Sequence, residues 1–150
     1  MKKIIAFVLL FLQTATFAND TTTIKGNAKK TEVTNAELVL PKGFSAVAIT
    51  DSVGKARHIK VTKNGVLYIK LNKLVNGKGI LRAEDKNGDG KIDDIKSFGN
   101  YIGTGLTIKN GYLYASSNDE VFRYKLDENE EVINPEAPEK IITGLINGRQ

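Results

Sequence analysis

The residues best equipped for chemistry lie in one short loop, DKNGDGKIDD, running from Asp85 to Asp94. Oxygen-bearing side chains fall at loop positions 1, 3, 5 and 9, which are Asp85, Asn87, Asp89 and Asp93. Gly90 takes position 6, where the turn is too sharp for a Cβ. Lys91 takes position 7, where only a backbone carbonyl is required, and Ile92 at position 8 points inward. Several hard oxygens at this spacing suit a calcium ion. Position 12 is Lys96, where an EF-hand places a bidentate Glu. Asp94, Glu84 or water would have to complete the shell, giving a site weaker than that of a calcium sensor. The same composition also builds a plain Asp/Asn/Gly hairpin turn. A cation bound here would be structural.

Other candidates for chemistry are few. The one histidine, His58, opens a strand pattern beside Arg57. It is either a satisfied structural residue or a group facing a ligand-holding channel. Residues 127–131 (DENEE) occupy the place of the calcium-type loop in a second unit, but lack its glycine and read as an acidic turn without a metal. The chain contains no Ser-His-Asp set, P-loop, CxxC or HExxH.

The elements that position these residues come as a repeat. KNGVLY at residues 63–68 returns as KNGYLY at residues 109–114, 46 positions later. Further on, Ile80-Leu81-Arg82 matches Val121-Phe122-Arg123 at an offset of 41, so the intervening loops differ in length. Strands are expected at Ser45 to Ile49, His58 to Thr62, Val66 to Leu71, Gly79 to Ala83 and Ile95 to Phe98. The second unit offers Gly105 to Ile108, Tyr112 to Ser116, Val121 to Leu126 and Lys140 to Thr143. His58, Lys60 and Thr62 alternate with Ile59 and Val61, which predicts a half-buried strand. Asn64-Gly65 and Asn110-Gly111 supply hairpin turns, because both residue types accept positive φ. Tyr68, Tyr112, Tyr114, Phe122 and Tyr124 lie inside strands and are expected to pack between units. No helical periodicity follows the N-terminal segment. Four antiparallel strands every 40–50 residues or so is β-propeller blade architecture, and such units must stack on neighbours to bury their faces. The fold class is therefore all-β, with about two four-stranded antiparallel blades.

Composition bounds the setting. Residues 1–18 carry Lys2 and Lys3, an apolar run from Ile4 to Leu12 and a Thr16-Phe17-Ala18 cleavage pattern. That order predicts a secretory signal and a periplasmic or secreted product, since the run is too short to span a bilayer. Residues 19–36 read as a polar spacer, and residues 37–150 as the folded part. Cysteine is absent, which rules out disulfide stapling and acyl anchoring through cysteine. The formal charge is +5, from 22 basic and 17 acidic residues, and +3 without the two signal lysines. The lysines are scattered between strands, which argues against a nucleic-acid partner.

The succession LPKGFSAVAI, KARHIKV, NGVLYIKL, KGILRAEDKNGDGKID, GTGLTIKNGYLYASSNDEVFRYKL and ITGLINGRQ resembles the N-terminal third of bacterial sugar dehydrogenases that use pyrroloquinoline quinone (PQQ). These are the sorbosone and soluble glucose dehydrogenases, and the resemblance covers Leu38 to Gln150. It implies a six-bladed propeller carrying PQQ and calcium over the channel mouth, with a sugar as substrate and the remaining blades as partners. It also implies a cofactor-contacting amide just before the first strand of the second blade, here Asn100 with Tyr101, where glutamine is typical. The family's basic histidine follows a segment similar to ITGLINGRQ, so His58 is not its counterpart, and no catalytic residue is expected within the chain. The 150 residues are therefore expected to be inactive and poorly folded alone. The alternative is a non-redox calcium-dependent propeller, either a lactonase-type hydrolase or a binding module.

Overall fold

The computed structural model describes residues 38–51 and 53–146, so the expected signal and spacer lie outside the described residues. These residues form eight strands: β1 (Ala56–Val61), β2 (Leu67–Val75), β3 (Lys78–Glu84), β4 (Asp94–Phe98), β5 (Leu106–Lys109), β6 (Tyr112–Ser116), β7 (Val121–Lys125) and β8 (Glu139–Ile142). They make two four-stranded antiparallel sheets in simple meander order, β1-β2-β3-β4 and β5-β6-β7-β8. No helix occurs among the described residues.

The antiparallel order sorts every connection to one of two ends. The β1–β2, β3–β4, β5–β6 and β7–β8 connections lie at one end, called here the loop end. The β2–β3 and β6–β7 hairpins and the β4–β5 crossover lie at the other, the crossover end. The repeated Lys-Asn-Gly motif turns the chain in two ways. At residues 109–112, Asn110 and Gly111 both have positive φ (51° and 75°) and Lys109 pairs with Tyr112, a two-residue type I′ hairpin. At residues 62–66 only Gly65 is left-handed, Gly65 N–H donates to the Thr62 carbonyl, and Val61 pairs with Leu67. The first hairpin therefore carries one more residue than the second. Strand alternation leaves this choice open.

Alternation then decides the faces. One face of the first sheet presents Val66, Tyr68, Ile80 and Phe98 to Leu106, Leu113, Ala115 and Tyr124 of the second, forming a single shared core. Edge-on ring pairs tie it together, with centroids 6.3 Å apart for Tyr68–Phe98 and 5.1 Å for Phe98–Tyr124. On the far side of the first sheet, Ile69, Leu71, Leu81 and Ala83 form a second cluster against Val53, Leu67 and Ile92. An apolar face that the sequence leaves without a partner is thus partly covered by the chain's own leading segment.

Three expectations are corrected. Residues 45–49 are not a strand: Ile92 N–H donates to the Ile49 carbonyl at 2.8 Å, and among the described residues no neighbouring strand offers a ladder. β1 is exposed along its whole length, not half-buried, because it is the edge strand and no layer of the described residues covers it. Of the five strand aromatics, Tyr68, Phe122 and Tyr124 pack between the sheets, whereas Tyr112 and Tyr114 stand on the outer face of the second sheet.

Candidate ligand cleft and metal loop

The β4–β5 crossover, residues 99–105, is pressed onto both sheets by close backbone approach. Gly79 N–H donates to the Gly99 carbonyl at 2.7 Å, and a Cβ on Gly79 would fall 2.0 Å from the Tyr101 carbonyl oxygen. On the other side, a Cβ on Gly103 would fall 2.0 Å from the Ser116 carbonyl oxygen. Lys70 reaches the same crossover from below. Its Nζ donates to the Tyr101 carbonyl at 2.8 Å and lies 3.9 Å from the centroid of the Tyr101 ring.

Tyr101 is thereby fixed. Its ring stacks on Phe122 at 4.4 Å, and its hydroxyl lies 3.0 Å from that of Tyr124. Burial pushes both phenols above their ordinary range. The neighbouring Asn100 stays exposed. The two residues expected to touch a cofactor thus line one cleft, Tyr101 also bracing the crossover.

Around Asn100 the crossover end opens into a cleft of about 590 Å³, lined by Asn72, Leu74, Asn100, Ile102, Asn118 and Asp119 among others. The side-chain amides of Asn72, Asn100 and Asn118 make no hydrogen bond to another described residue. The β6–β7 turn beneath Asn118 is rigid: Ser117 Oγ donates to Asp119 at 2.8 Å and accepts from Glu120 N–H at 2.9 Å. Three open amides and a carboxylate on a firm backbone suit a ligand rich in carbonyl or hydroxyl groups. Sequence reasoning missed Asn72, Asn118 and Asp119, which belong to hairpins far apart in the chain. Asn118 and Asp119 lie in the β6–β7 turn, and Asn72 lies within β2 near its crossover-end terminus.

His58 is not part of the cleft lining. Its Nδ1 lies 3.0 Å from the Thr104 carbonyl, which can only accept, so Nδ1 carries the proton and donates. The ring ties β1 to the crossover.

The Asp85–Asp93 loop lies at the opposite, loop end of the sheets. Asp85 Oδ1 accepts from Gly88 N–H at 2.7 Å, and Oδ2 from Gly90 N–H at 2.7 Å. Asp93 Oδ2 accepts from the amides of Lys86 and Asn87, both at 3.2 Å. Asn87 accepts from Asp89 N–H, and Asp89 from Lys91 N–H, each at 2.9 Å. Gly88 and Gly90 turn the chain at φ of 73° and 85°. Among the described residues, no three His, Cys, Asp or Glu side chains gather around one point. These carboxylates accept from the loop's own amides, which hold the turn.

The acidic turn at residues 127–131 clasps the two sheets. Tyr68 Oη donates to the Glu130 carbonyl at 2.5 Å, Asn64 N–H donates to Glu130 Oε2 at 3.3 Å, and Lys96 pairs with Glu131.

No protein-family model and no curated protein matches the chain. Among solved structures, it is similar to the holo form of the pyranose dehydrogenase PQQ domain from Coprinopsis cinerea. That match has a TM-score of 0.52 and 19% identity, and covers 67% of this chain and 24% of the other. It is also similar to the calcium structure of a Trichoderma reesei member of Carbohydrate-Active Enzymes Family AA12, with a TM-score of 0.51 and 21% identity over 64% of this chain and 24% of the other. The chain thus spans 24% of the length of these solved structures, and at such identity the likeness is one of fold.

Proposed function

We propose that residues 37–150 are the first two blades of a quinone-dependent sugar or aldose dehydrogenase-like propeller, six-bladed when complete. The observation that carries this reading is the cleft: its open amides, Asn100 included, lie at the crossover end of a two-sheet unit similar in fold to a PQQ domain. PQQ, when bound, supplies the redox chemistry by accepting hydride. Asn100 would hold it by hydrogen bonds, with Asn72 and Asn118 beside it, and Tyr101 would keep Asn100 in place. The cleft residues include no histidine, and His58 is spent on Thr104, so the general base belongs to another part of the complete protein. This chain alone would bind without oxidising sugars. Asp85, Asn87, Asp89, Asp93 and the Lys91 carbonyl would hold calcium as a structural ion. The N-terminal segment, as a secretory signal, would deliver the protein to the periplasm or the medium.

The test is a fluorescence titration of the purified chain with PQQ, beside a dye-linked assay with aldoses. The expected result is saturable quinone binding, weakened roughly tenfold in Asn100→Ala by the loss of about 1.4 kcal/mol of hydrogen bonding, and no dye reduction. Binding unchanged by Asn100→Ala would sink the assignment of the cleft. Lactone hydrolysis by the chain would favour the non-redox alternative.

A further inference from the structure

The repeat places two different side chains at one register position, and both grip the crossover. Lys70 ends the segment KNGVLYIK, and Ser116 ends KNGYLYAS 46 positions later. Ser116 Oγ accepts from Gly105 N–H at 2.9 Å, while Lys70 Nζ donates to the Tyr101 carbonyl at 2.8 Å. The crossover is therefore tied at two points by equivalent residues of the two sheets. On the second sheet a neutral hydroxyl makes the tie. On the first it is a buried ammonium without a counter-charge, an arrangement that costs stability. Stability given up at one position, where an apolar side chain would pack, points to a role in function.

The surroundings of Lys70 show what that role is. Alternation along β2 puts Tyr68 and Asn72 on its side of the strand, with His58 opposite on β1 and Ile80 opposite on β3. The Tyr101 ring centroid lies 3.9 Å from Nζ. Asn72 and Tyr101 both line the cleft, and Asn100 is the residue before Tyr101. The Tyr101 carbonyl is held from two sides, by the ammonium and by the bare Cα of Gly79. Other charged and titratable groups nearby are occupied. His58 can donate to the Thr104 carbonyl as the neutral ring or as the cation. Lys78 and Arg82 on β3 pair with Glu136 and Glu84, and Asp119 across the cleft accepts from Ser117. Burial keeps the phenols of Tyr68, Tyr101 and Tyr124 protonated beyond their ordinary range.

We propose that Lys70 is a positioning residue for the cleft: its charge holds the crossover down, and the cleft's grip on its ligand follows that charge. The inference rests on the reading of the cleft as a ligand site. Burial pushes the Lys70 pKa down from 10.5 to about 8, so the folded protein sheds this charge in mildly alkaline solution. The neutral amine keeps a weaker hydrogen bond to the Tyr101 carbonyl and gives up its attraction to the ring. Ligand affinity therefore falls as pH rises through about 8. By linkage, bound ligand raises the Lys70 pKa in turn.

The test is a PQQ titration of the full chain at about pH 7 and pH 9.5, in wild type and Lys70→Met, with hydrogen exchange at the Gly79 amide followed alongside. Wild type is expected to bind about tenfold more weakly at the higher pH. Lys70→Met is expected to bind about tenfold more weakly than wild type at pH 7, with no pH slope and an unchanged far-UV spectrum. Gly79 N–H donates to the Gly99 carbonyl, so its protection, corrected for the intrinsic rate, reports the seating of the crossover. That protection is expected to fall over the same interval in wild type and to stay level in Lys70→Met. Loss of the buried charge raises global stability over this interval, so global unfolding cannot produce the fall. Equal affinities of the two proteins at pH 7, or equal slopes, would overturn the proposal. Absence of PQQ binding at both pH values would sink the reading of the cleft instead, and the exchange would then decide. A fall confined to wild type would sustain the positioning role of Lys70, and a level wild-type profile would overturn it.

Discussion

Lys70 sits between Ile69 and Leu71 on β2, in a layer where its ammonium has a carbonyl and a ring but no ion pair among the described residues. Its side chain is wholly buried, and burial pushes its pKa down from 10.5 to about 8. The folded protein therefore releases this proton near pH 8, while the unfolded chain holds it to about pH 10.5. Between those values the unfolded chain binds more protons, so stability rises with pH; below pH 8 the cost of the buried charge is fully present. Thermal melts are expected to show this rise between pH 8 and 10. Lys70→Met should flatten it and raise stability at pH 7 by about 1 kcal/mol, a net gain after the Tyr101 carbonyl loses its donor. Equal slopes in wild type and variant would remove the buried charge from the argument. Position in a strand marked Lys70 as alternating with Ile69 and Leu71; only the opposing sheet made that side the inside.

At the level of elements, the crossover decides the site. Its backbone passes so near β3 that position 79 admits no side chain, since a Cβ there would meet the Tyr101 oxygen at 2.0 Å. Gly79→Ala is expected to push the crossover away, lengthening the Gly79–Gly99 and Lys70–Tyr101 bonds together. The cost should be about 2 kcal/mol or more, a fall in melting temperature on the order of 10 °C for a chain this size. Quinone or polyol binding at Asn100 should weaken in parallel. A variant with the wild-type melting point would show that the crossover yields freely. Of this, the strands and hairpins were legible from alternation and Asn-Gly punctuation, and all eight strands overlap the expected ranges. Residues 45–49 misled because strand-type composition cannot announce that no ladder partner stands beside it.

Across the whole molecule, the antiparallel order places the cleft and the Asp85–Asp93 loop at opposite ends of the sheets. Events at one end have no direct contact with the other, so a cation in the loop would act on stability and not on the cleft. Calorimetry at millimolar calcium is expected to show binding to the wild-type chain that Asp89→Ala abolishes, by removing an oxygen at the loop's centre. The same variant should leave ligand affinity at the cleft within about twofold, a change of less than 0.5 kcal/mol. No calcium heat in the wild type would reduce the loop to a turn held by its own amides. A large loss at the cleft would mean that the two ends are coupled through the shared core.

The sequence by itself determined the strand periodicity, the repeat, the turn positions and the spacing of oxygens in the 85–93 loop. These are local properties, written in neighbouring residues and in the two-residue period of a strand. The tertiary structure decided which of two equivalent faces is inside. Tyr68 and Tyr114 stand in the same motif and pair with the same residue type, yet Tyr68 is buried and Tyr114 half-exposed, because among the described residues only the first sheet has a neighbour on that side. It decided also that Asn72, Asn100 and Asn118 share one cleft, since two hairpin ends and the crossover between them meet only after the second sheet is laid on the first. Side-chain alternation fixes two faces for every strand, and only the packing of another layer distinguishes them.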